Sequence, residues 1–171
     1  MRLVRNSIFT LLFIIVGFIV FMPKVELYYK AEQLLKKQGI VIDNEEIKSN
    51  PAALKILHPV VYFRGVDVAR ASVVELKPLL FVNRLKAENI ELLNVAKNFL
   101  NISINSLVAN HTIFKPYYIK LNIDGNFGVA SGYIDLKSKI IHIDIVEPKD
   151  INSIKKFLKK GKKGWFYESK I

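Results

Sequence analysis

Three histidines, several aspartates and a few serines are the residues of this 171-residue chain that could do chemistry. His58, His111 and His142 lack the His-x-x-x-His spacing with which a helix binds zinc. No pattern fixes two carboxylates for acid–base hydrolysis, and no serine lies in a Gly-x-Ser-x-Gly turn. Cysteine is absent, which excludes thiol catalysis, thiolate metal sites and disulfides. The sequence therefore predicts a non-enzymatic protein with no catalytic residues, no metal site and no cofactor.

An apolar segment near the start of the chain predicts where the other residues lie. As a helix, Leu3 to Met22 would span roughly 30 Å, the thickness of a bilayer's hydrocarbon core. A cleavable signal peptide is the alternative for this segment, but the residues at its exit are bulky where cleavage needs small ones. We therefore expect an uncleaved anchor. Under the positive-inside rule, Arg2 and Arg5 place the N-terminus in the cytoplasm and the remaining chain outside it.

The formal net charge of +11 raises the question of nucleic-acid binding. Arg2, Arg5 and six lysines between Lys155 and Lys163 account for eight of these charges. The positive charge is thus concentrated at the two ends of the chain and does not follow a groove. Because the domain is also expected outside the cytoplasm, we exclude nucleic acid as a partner.

Beyond the anchor, the apolar pattern predicts one mainly β domain. The expected organisation is a cytoplasmic stub and transmembrane anchor over 1–23, a juxtamembrane helix over 24–38, a β domain over 39–147, and a basic amphipathic helix with an aromatic tail over 148–171. Gly39 is placed to end the second helix, after which the period changes to two. This predicts a curved antiparallel sheet, groove-like or jellyroll-like, of about eight strands. They are expected at 40–47, 54–63, 66–76, 84–93, 100–108, 117–124, 127–136 and 140–146.

Alternation along the later strands predicts one apolar face. Such a face can be a filled core or a groove that shelters lipid acyl chains, and the sequence leaves both open. The groove candidates, chosen because they share this alternation, are Ile102, Ile104, Ile119, Leu121, Ile123, Ile141 and Ile143. Gly125, Gly128 and Gly132 are expected to serve turns, bulges or curvature of the sheet.

The last segment combines positive charge with aromatic residues, a combination that binds anionic membrane surfaces. The membrane-surface candidates are Lys155, Lys156, Lys159, Lys160, Lys162, Lys163 and Trp165. The alternative is a helix that caps the open end of the sheet and leaves its lysines in solvent.

Two segments carry a resemblance to a known group of proteins. They are FMPKVELYYKAEQLLKKQGIVI, where anchor, helix and first strand join, and VVELKPLLFVNRLKAENIELLN. Together with NFGVASGYIDL, which is similar to a closing hairpin, they resemble the AsmA-like bacterial envelope proteins, especially the type II secretion system protein N family. The resemblance implies a periplasmic sheet lining a hydrophobic groove, held to the bacterial inner membrane by a single pass. It also implies a role in envelope lipid traffic or type II secretion, with the inner membrane, lipid acyl chains and other envelope or secretion proteins as partners.

Two alternatives to this function remain at the level of sequence. The chain is also similar in size and anchoring to the lipopolysaccharide-export component C, whose β-jellyroll passes lipid along its interior. The helix over Glu26 to Lys37 favours the first family. The other alternative is a periplasmic scaffold that recognises envelope proteins through an exposed sheet edge.

Overall fold

A computed structural model of the chain describes residues 2–162 and 164–171. It begins with two helices, α1 (Arg2–Phe21) and α2 (Lys24–Lys37). Helix α1 is long and apolar enough to span a membrane, because Val4–Phe21 has a mean hydropathy of 2.2. None of this stretch is buried against the rest of the chain, so α1 is unlike the core helix of a globular domain.

A buried lysine joins the two helices. The carbonyl of Ile19 would normally accept a hydrogen bond from the residue four positions later, but that residue is Pro23, which has no N–H. The ammonium of Lys24 donates to this oxygen instead, at 2.9 Å, and Lys24 is only 5% exposed. A cation at the C-terminal end of a helix is also favoured by the helix dipole. The junction at the proline is therefore stabilised from within the chain.

The described residues contain thirteen strands in one antiparallel sheet. Helix α3 (Asn94–Phe99) connects the seventh strand to the eighth, and a 3-10 turn (Lys155–Phe157) precedes the twelfth. The strands are β1 (Ile40–Asp43), β2 (Glu46–Ser49), β3 (Leu54–Leu57), β4 (Val60–Phe63), β5 (Val66–Arg70), β6 (Val73–Pro78), β7 (Val82–Leu92), β8 (Ser103–Thr112), β9 (Lys115–Gly125), β10 (Gly128–Asp135), β11 (Ile140–Pro148), β12 (Lys159–Gly161) and β13 (Gly164–Lys170).

The sheet branches at β7. On one side of β7 the order is β8, β9, β10, β11, β13 and β12. On the other side the sheet divides into two arms. The first arm consists of β6, β3 and β2 and pairs with most of β7, and the second consists of β5, β4 and β1 and pairs with the last residues of β7. Helix α2 lies at this division, where Tyr28 is buried against Leu54 and Ile56. The mainly β architecture and the helix before it are as predicted.

The first part of the predicted strand pattern is wrong in detail. The expected strands 40–47, 54–63 and 66–76 are each divided into two, which raises the strand number above eight. Asn44 and His58 have φ of 62° and 53°, so the chain reverses at these residues without a glycine. Helix α3 was not predicted, and the strand expected from Leu100 begins only at Ser103. Short apolar runs do not reveal such reversals, because strands on both sides of a turn keep the same composition.

The predicted basic C-terminal helix is also wrong. Residues 151–158 form turns and the 3-10 segment, and the chain then makes the β12–β13 hairpin. Strand β13 pairs with β11, with Tyr167 opposite Ile143, and so satisfies backbone groups that β11 would otherwise leave exposed. Ile154 is buried in a cluster with Ile123 and Phe127. This pairing and packing prevail over a helical spacing of only a few residues.

Candidate functional site

The strand register brings the predicted apolar residues together on one side of the sheet. Residues directly opposite each other in antiparallel strands point to the same side. Ile119 lies opposite Ile134, which in turn lies opposite Ile141. Leu121 and Ile143 are related in the same way through Gly132. We call this side the apolar face.

One end of the apolar face contains a cleft of about 410 Å³, here called the distal cleft. Four of the seven groove candidates line it, namely Ile102, Ile104, Ile123 and Ile143. The turn segment after β11 covers part of the distal cleft with Ile154, Phe157 and Leu158. The segment thus contributes apolar side chains to the candidate site, in line with the alternative that it caps the open end of the sheet, although it does so as turns and not as a helix.

The other end contains a cleft of about 360 Å³ next to the start of α2, here called the anchor-side cleft. It is lined by α2 and by the apolar face of β6 to β9, including Leu76, Leu85, Ala109 and Ile119. Lys24, which caps α1, lies in the same wall. Leu121 is buried between the two clefts, and Ile141 lies one strand beyond Ile134 on the same face. The anchor-side cleft therefore adjoins the end of the apolar helix.

A polar pair lies in the anchor-side cleft. Asn83 and His111 face each other on β7 and β8, with 3.4 Å between the Asn83 amide nitrogen and His111 Nδ1. His111 Nε2 is 3.0 Å from the carbonyl oxygen of Pro116, which can only accept a hydrogen bond. Nε2 therefore carries the proton, and Nδ1 accepts from the amide of Asn83. The two residues are 28 positions apart, so the sequence did not reveal their pairing.

A cavity of about 180 Å³ lies under α2 between the two arms of the sheet. Tyr28 lines it, and its hydroxyl donates to the Glu45 carboxylate at 3.3 Å. Burial raises the pKa of the Tyr28 hydroxyl above its ordinary value of 10.0, and the negative charge of Glu45 raises it further. Tyr28 is therefore held in its neutral form, in which its hydroxyl ties α2 to the loop between β1 and β2 by donating to the Glu45 carboxylate.

This pKa predicts how stability depends on alkaline pH. Since the folded-state pKa is raised, the contribution is present below pH 10.0 and is lost as the pH rises above it. The free energy of unfolding of the full chain in detergent, measured between pH 8 and pH 11, should fall less steeply for Tyr28→Phe than for the parent. Tyr117→Phe, at an exposed position, is the control and should retain the parent slope. If Tyr28→Phe kept the parent slope, the raised pKa of Tyr28 in the folded state would be contradicted.

The remaining histidines lie away from both clefts. His142 is stacked between Tyr133 and Phe166 on the opposite side of the sheet, and its ring nitrogens lie 3.0 Å from Glu168 and 3.3 Å from Asp144. His58 lies at the break between β3 and β4. Among the described residues, no group of three His, Cys, Asp or Glu side chains could hold a metal ion.

The basic tail begins at the edge of the sheet opposite the anchor and then folds back along β11, where Lys159 lies opposite Phe166, the partner of Asp144 in the middle of β11. β7 runs for 11 residues from the anchor-side edge at Val82 to the far edge at Leu92, which separates the edges by roughly 35 Å. β11 leads to the far edge at Pro148, where the tail begins. There the ammonium groups of Lys155 and Lys160 lie 5.4 and 5.8 Å from the Trp165 ring. The other described lysines of the predicted membrane-surface set are Lys156, Lys159 and Lys162, while Lys163 lies outside the described residues.

Comparison of the chain with protein-family models, with curated proteins and with solved structures finds no match.

Proposed function

We propose that this chain is a non-enzymatic, single-pass protein of the bacterial inner membrane that binds lipid acyl chains on the apolar face of a periplasmic sheet. The observation that carries the proposal is the position of the anchor-side cleft, which adjoins the end of α1 and is lined mainly by aliphatic side chains. With α1 in the bilayer, a lipid that leaves the membrane would meet this cleft first. Envelope lipid traffic is the function that this arrangement supports best.

The distribution of burial supports a trough rather than a filled core. Most of the buried apolar side chains form two small clusters, one around Leu54 at α2 and one around Ile123 at the distal cleft, and Leu121 is buried between them. Between them, Leu85, Ala109 and Ile119 on the apolar face remain half-buried. Proteins seldom leave a continuous apolar surface of this kind without a ligand or partner.

Size and energetics also fit an acyl chain. Each cleft has a volume within the usual range of ligand pockets, about 300 to 1,000 Å³. Burial of one methylene group contributes about 0.8 kcal/mol, so ten such groups would contribute about 8 kcal/mol before the cost of ordering the chain. Leu121 and Ile123 provide an apolar connection between the clefts. For an acyl chain bound across both, the two clefts would replace the hydrocarbon environment of the membrane.

The alternative proposal, a scaffold for other envelope or secretion proteins, would use a free strand. In the described sheet β1, β2 and β12 are the terminal strands, and each could add a strand from a partner. These strands have only three or four residues, and short edge strands normally limit such pairing. This favours lipid binding over the scaffold.

Photo-crosslinking in cells tests the proposal and separates the two functions. A crosslinking amino acid at Ile119 or Ile104 should capture lipid, because these positions line the anchor-side and distal clefts. Lys120 is the control, since it follows Ile119 on the same strand and points to the other side of the sheet. Capture of protein alone at Ile119 and Ile104, with no lipid in the purified full chain by mass spectrometry, would overturn acyl-chain binding.

A further inference from the structure

Three neighbouring connections at the anchor-side edge expose apolar side chains. They are the loops 79–81, 113–114 and 136–139, which join β6 to β7, β8 to β9 and β10 to β11. Phe81 is 48% exposed and Phe114 is 79% exposed. We define the apolar rim as these two residues together with Leu79, Ile113 and Leu136, which are also exposed.

The composition of the apolar rim is unusual for hairpin loops. Such loops favour Asn, Asp and Gly, which tolerate left-handed backbone and interact well with water. The two-residue loop between β8 and β9 is instead Ile113-Phe114. By contrast, the loop between β4 and β5 at the far edge is Arg64-Gly65. Because Phe114 is largely exposed, packing inside the protein does not explain an apolar residue at this position. An apolar environment outside the protein would explain it.

Direct contacts join the first two loops of the apolar rim, and a hydrogen bond joins the third to the neighbouring strand. The rings of Phe81 and Phe114 stack with 6.4 Å between their centroids. The N–H of Ile113 donates to the carbonyl of Phe81 at 3.2 Å, which ties two of the loops together. The third loop is joined to the start of β9, because the N–H of Leu136 donates to the carbonyl of Tyr117 at 2.8 Å.

The position and charge of the apolar rim identify its partner. Pro78 and Asn83, which flank the first loop, line the anchor-side cleft together with Lys24 at the end of α1. The rim is therefore next to the point where the chain leaves the membrane. Basic residues accompany all three loops, and this charge complements anionic lipid headgroups at about 1 kcal/mol per cation. They are Lys115, Lys137, Lys139 and Arg84, whereas Lys77 is already paired with Glu75 at 2.8 Å.

We propose that the apolar rim inserts into the headgroup region of the same bilayer that α1 enters, and so holds the mouth of the anchor-side cleft against the lipid. The proposal rests on α1 as a membrane anchor and does not require acyl-chain binding. It also assigns membrane contact to a different surface from the basic tail. Lys159 of the tail is level with Asp144 on β11, four residues or roughly 13 Å from the end of that strand beside the rim, which is beyond the screening length of about 10 Å at 0.1 M salt.

Depth-dependent quenching in liposomes tests the proposal on the full chain. Because the chain has no cysteine, Phe114→Cys provides one unique site for an environment-sensitive fluorophore. Phe99→Cys is the matched control, since Phe99 is 67% exposed but lies in α3 at the far edge. In liposomes of phosphatidylcholine and phosphatidylglycerol with spin-labelled lipids, quenching at position 114 should exceed that at 99 about threefold, as expected for a probe within ~10 Å of the acyl boundary.

Each outcome of this experiment decides the proposal. Equal quenching at positions 114 and 99 would overturn it, and so would stronger quenching at a label on Lys160→Cys in the tail. A label at 114 that is shielded from water but not quenched by lipid would point to a protein partner and would also overturn it. Quenching at 114 without lipid capture at Ile119 would support the rim while rejecting the proposed function, so the two can fail separately.

Discussion

Gly128→Ala is expected to lower the free energy of unfolding by about 3 kcal/mol or more, because the added Cβ has no space and the backbone conformation opposes it. Gly128 has φ of +111°, which side-chain-bearing residues rarely adopt. A Cβ at this position would lie 1.9 Å from the Glu147 carbonyl oxygen and 2.9 Å from the Lys149 nitrogen. Both are backbone atoms, one in β11 and one in the residue just after it, so no side-chain rotation can relieve the clash.

The same close approach recurs at Gly132, where a Cβ would lie 2.1 Å from the His142 carbonyl oxygen. The β10–β11 register also shifts between Val129 and Ala130. Glycines and a bulge of this kind allow a sheet to bend sharply. The register shift beside Gly128 fits the bulge that was one of the roles predicted for these glycines, and the close contacts show why Gly128 and Gly132 have no side chain.

The matched control is Gly65→Ala, which separates backbone conformation from steric overlap. Gly65 also has positive φ, +84°, but nothing lies within 4 Å of its added Cβ. This variant should lose only about 1 kcal/mol, the conformational part of the cost. Urea unfolding of the full chains in detergent measures both values. If Gly128→Ala lost no more than Gly65→Ala, the close approach of β10 to β11 would be contradicted.

Patterns in the sequence predict the helices and strands whose formation depends on the spacing of their own residues. The apolar run of α1, the spacing of α2 and the alternation in β9 and β11 all have the periods of their own elements. The division at β7 and the β12–β13 hairpin depend on pairing between distant segments, such as Ile143 with Tyr167. A helical spacing in residues 151–158 could not compete with that pairing.

The candidate site, too, could be predicted only as far as the spacing within single strands determines it. Alternation alone assigns Ile119, Leu121 and Ile123 to one face, since a strand imposes this geometry. The separation of that face into two clefts depends on where α2 and the segment after β11 cover it. The apolar rim was missed for a related reason. The strands predicted at 66–76 and 84–93 already leave Leu79 and Phe81 in a connection, but only the register shows that this connection lies beside Phe114 at one edge of the sheet.

A bulky residue in the anchor-side cleft is expected to block lipid capture. Ala109 lies on the apolar face of β8, opposite Leu85 and Leu121, and lines this cleft. Ala109→Trp should lower lipid capture by the crosslinker at Ile119 by tenfold or more. Displacement of two or three methylene groups, at about 0.8 kcal/mol each, is sufficient for this loss, since each ~1.4 kcal/mol is tenfold in affinity.

The control for this variant is Val108→Trp, because Val108 is the preceding residue of β8 and points to the opposite side of the sheet. It should leave lipid capture at the parent level. Overpacking can itself cost about 1 to 3 kcal/mol, so unfolding of both variants must be measured alongside. A folded Ala109→Trp protein that still captured lipid at Ile119 would show that lipid does not occupy the part of the anchor-side cleft that Ala109 lines. Rim insertion, measured at position 114, should be the same in both variants, since a blocked cleft leaves Phe81 and Phe114 free to enter the bilayer.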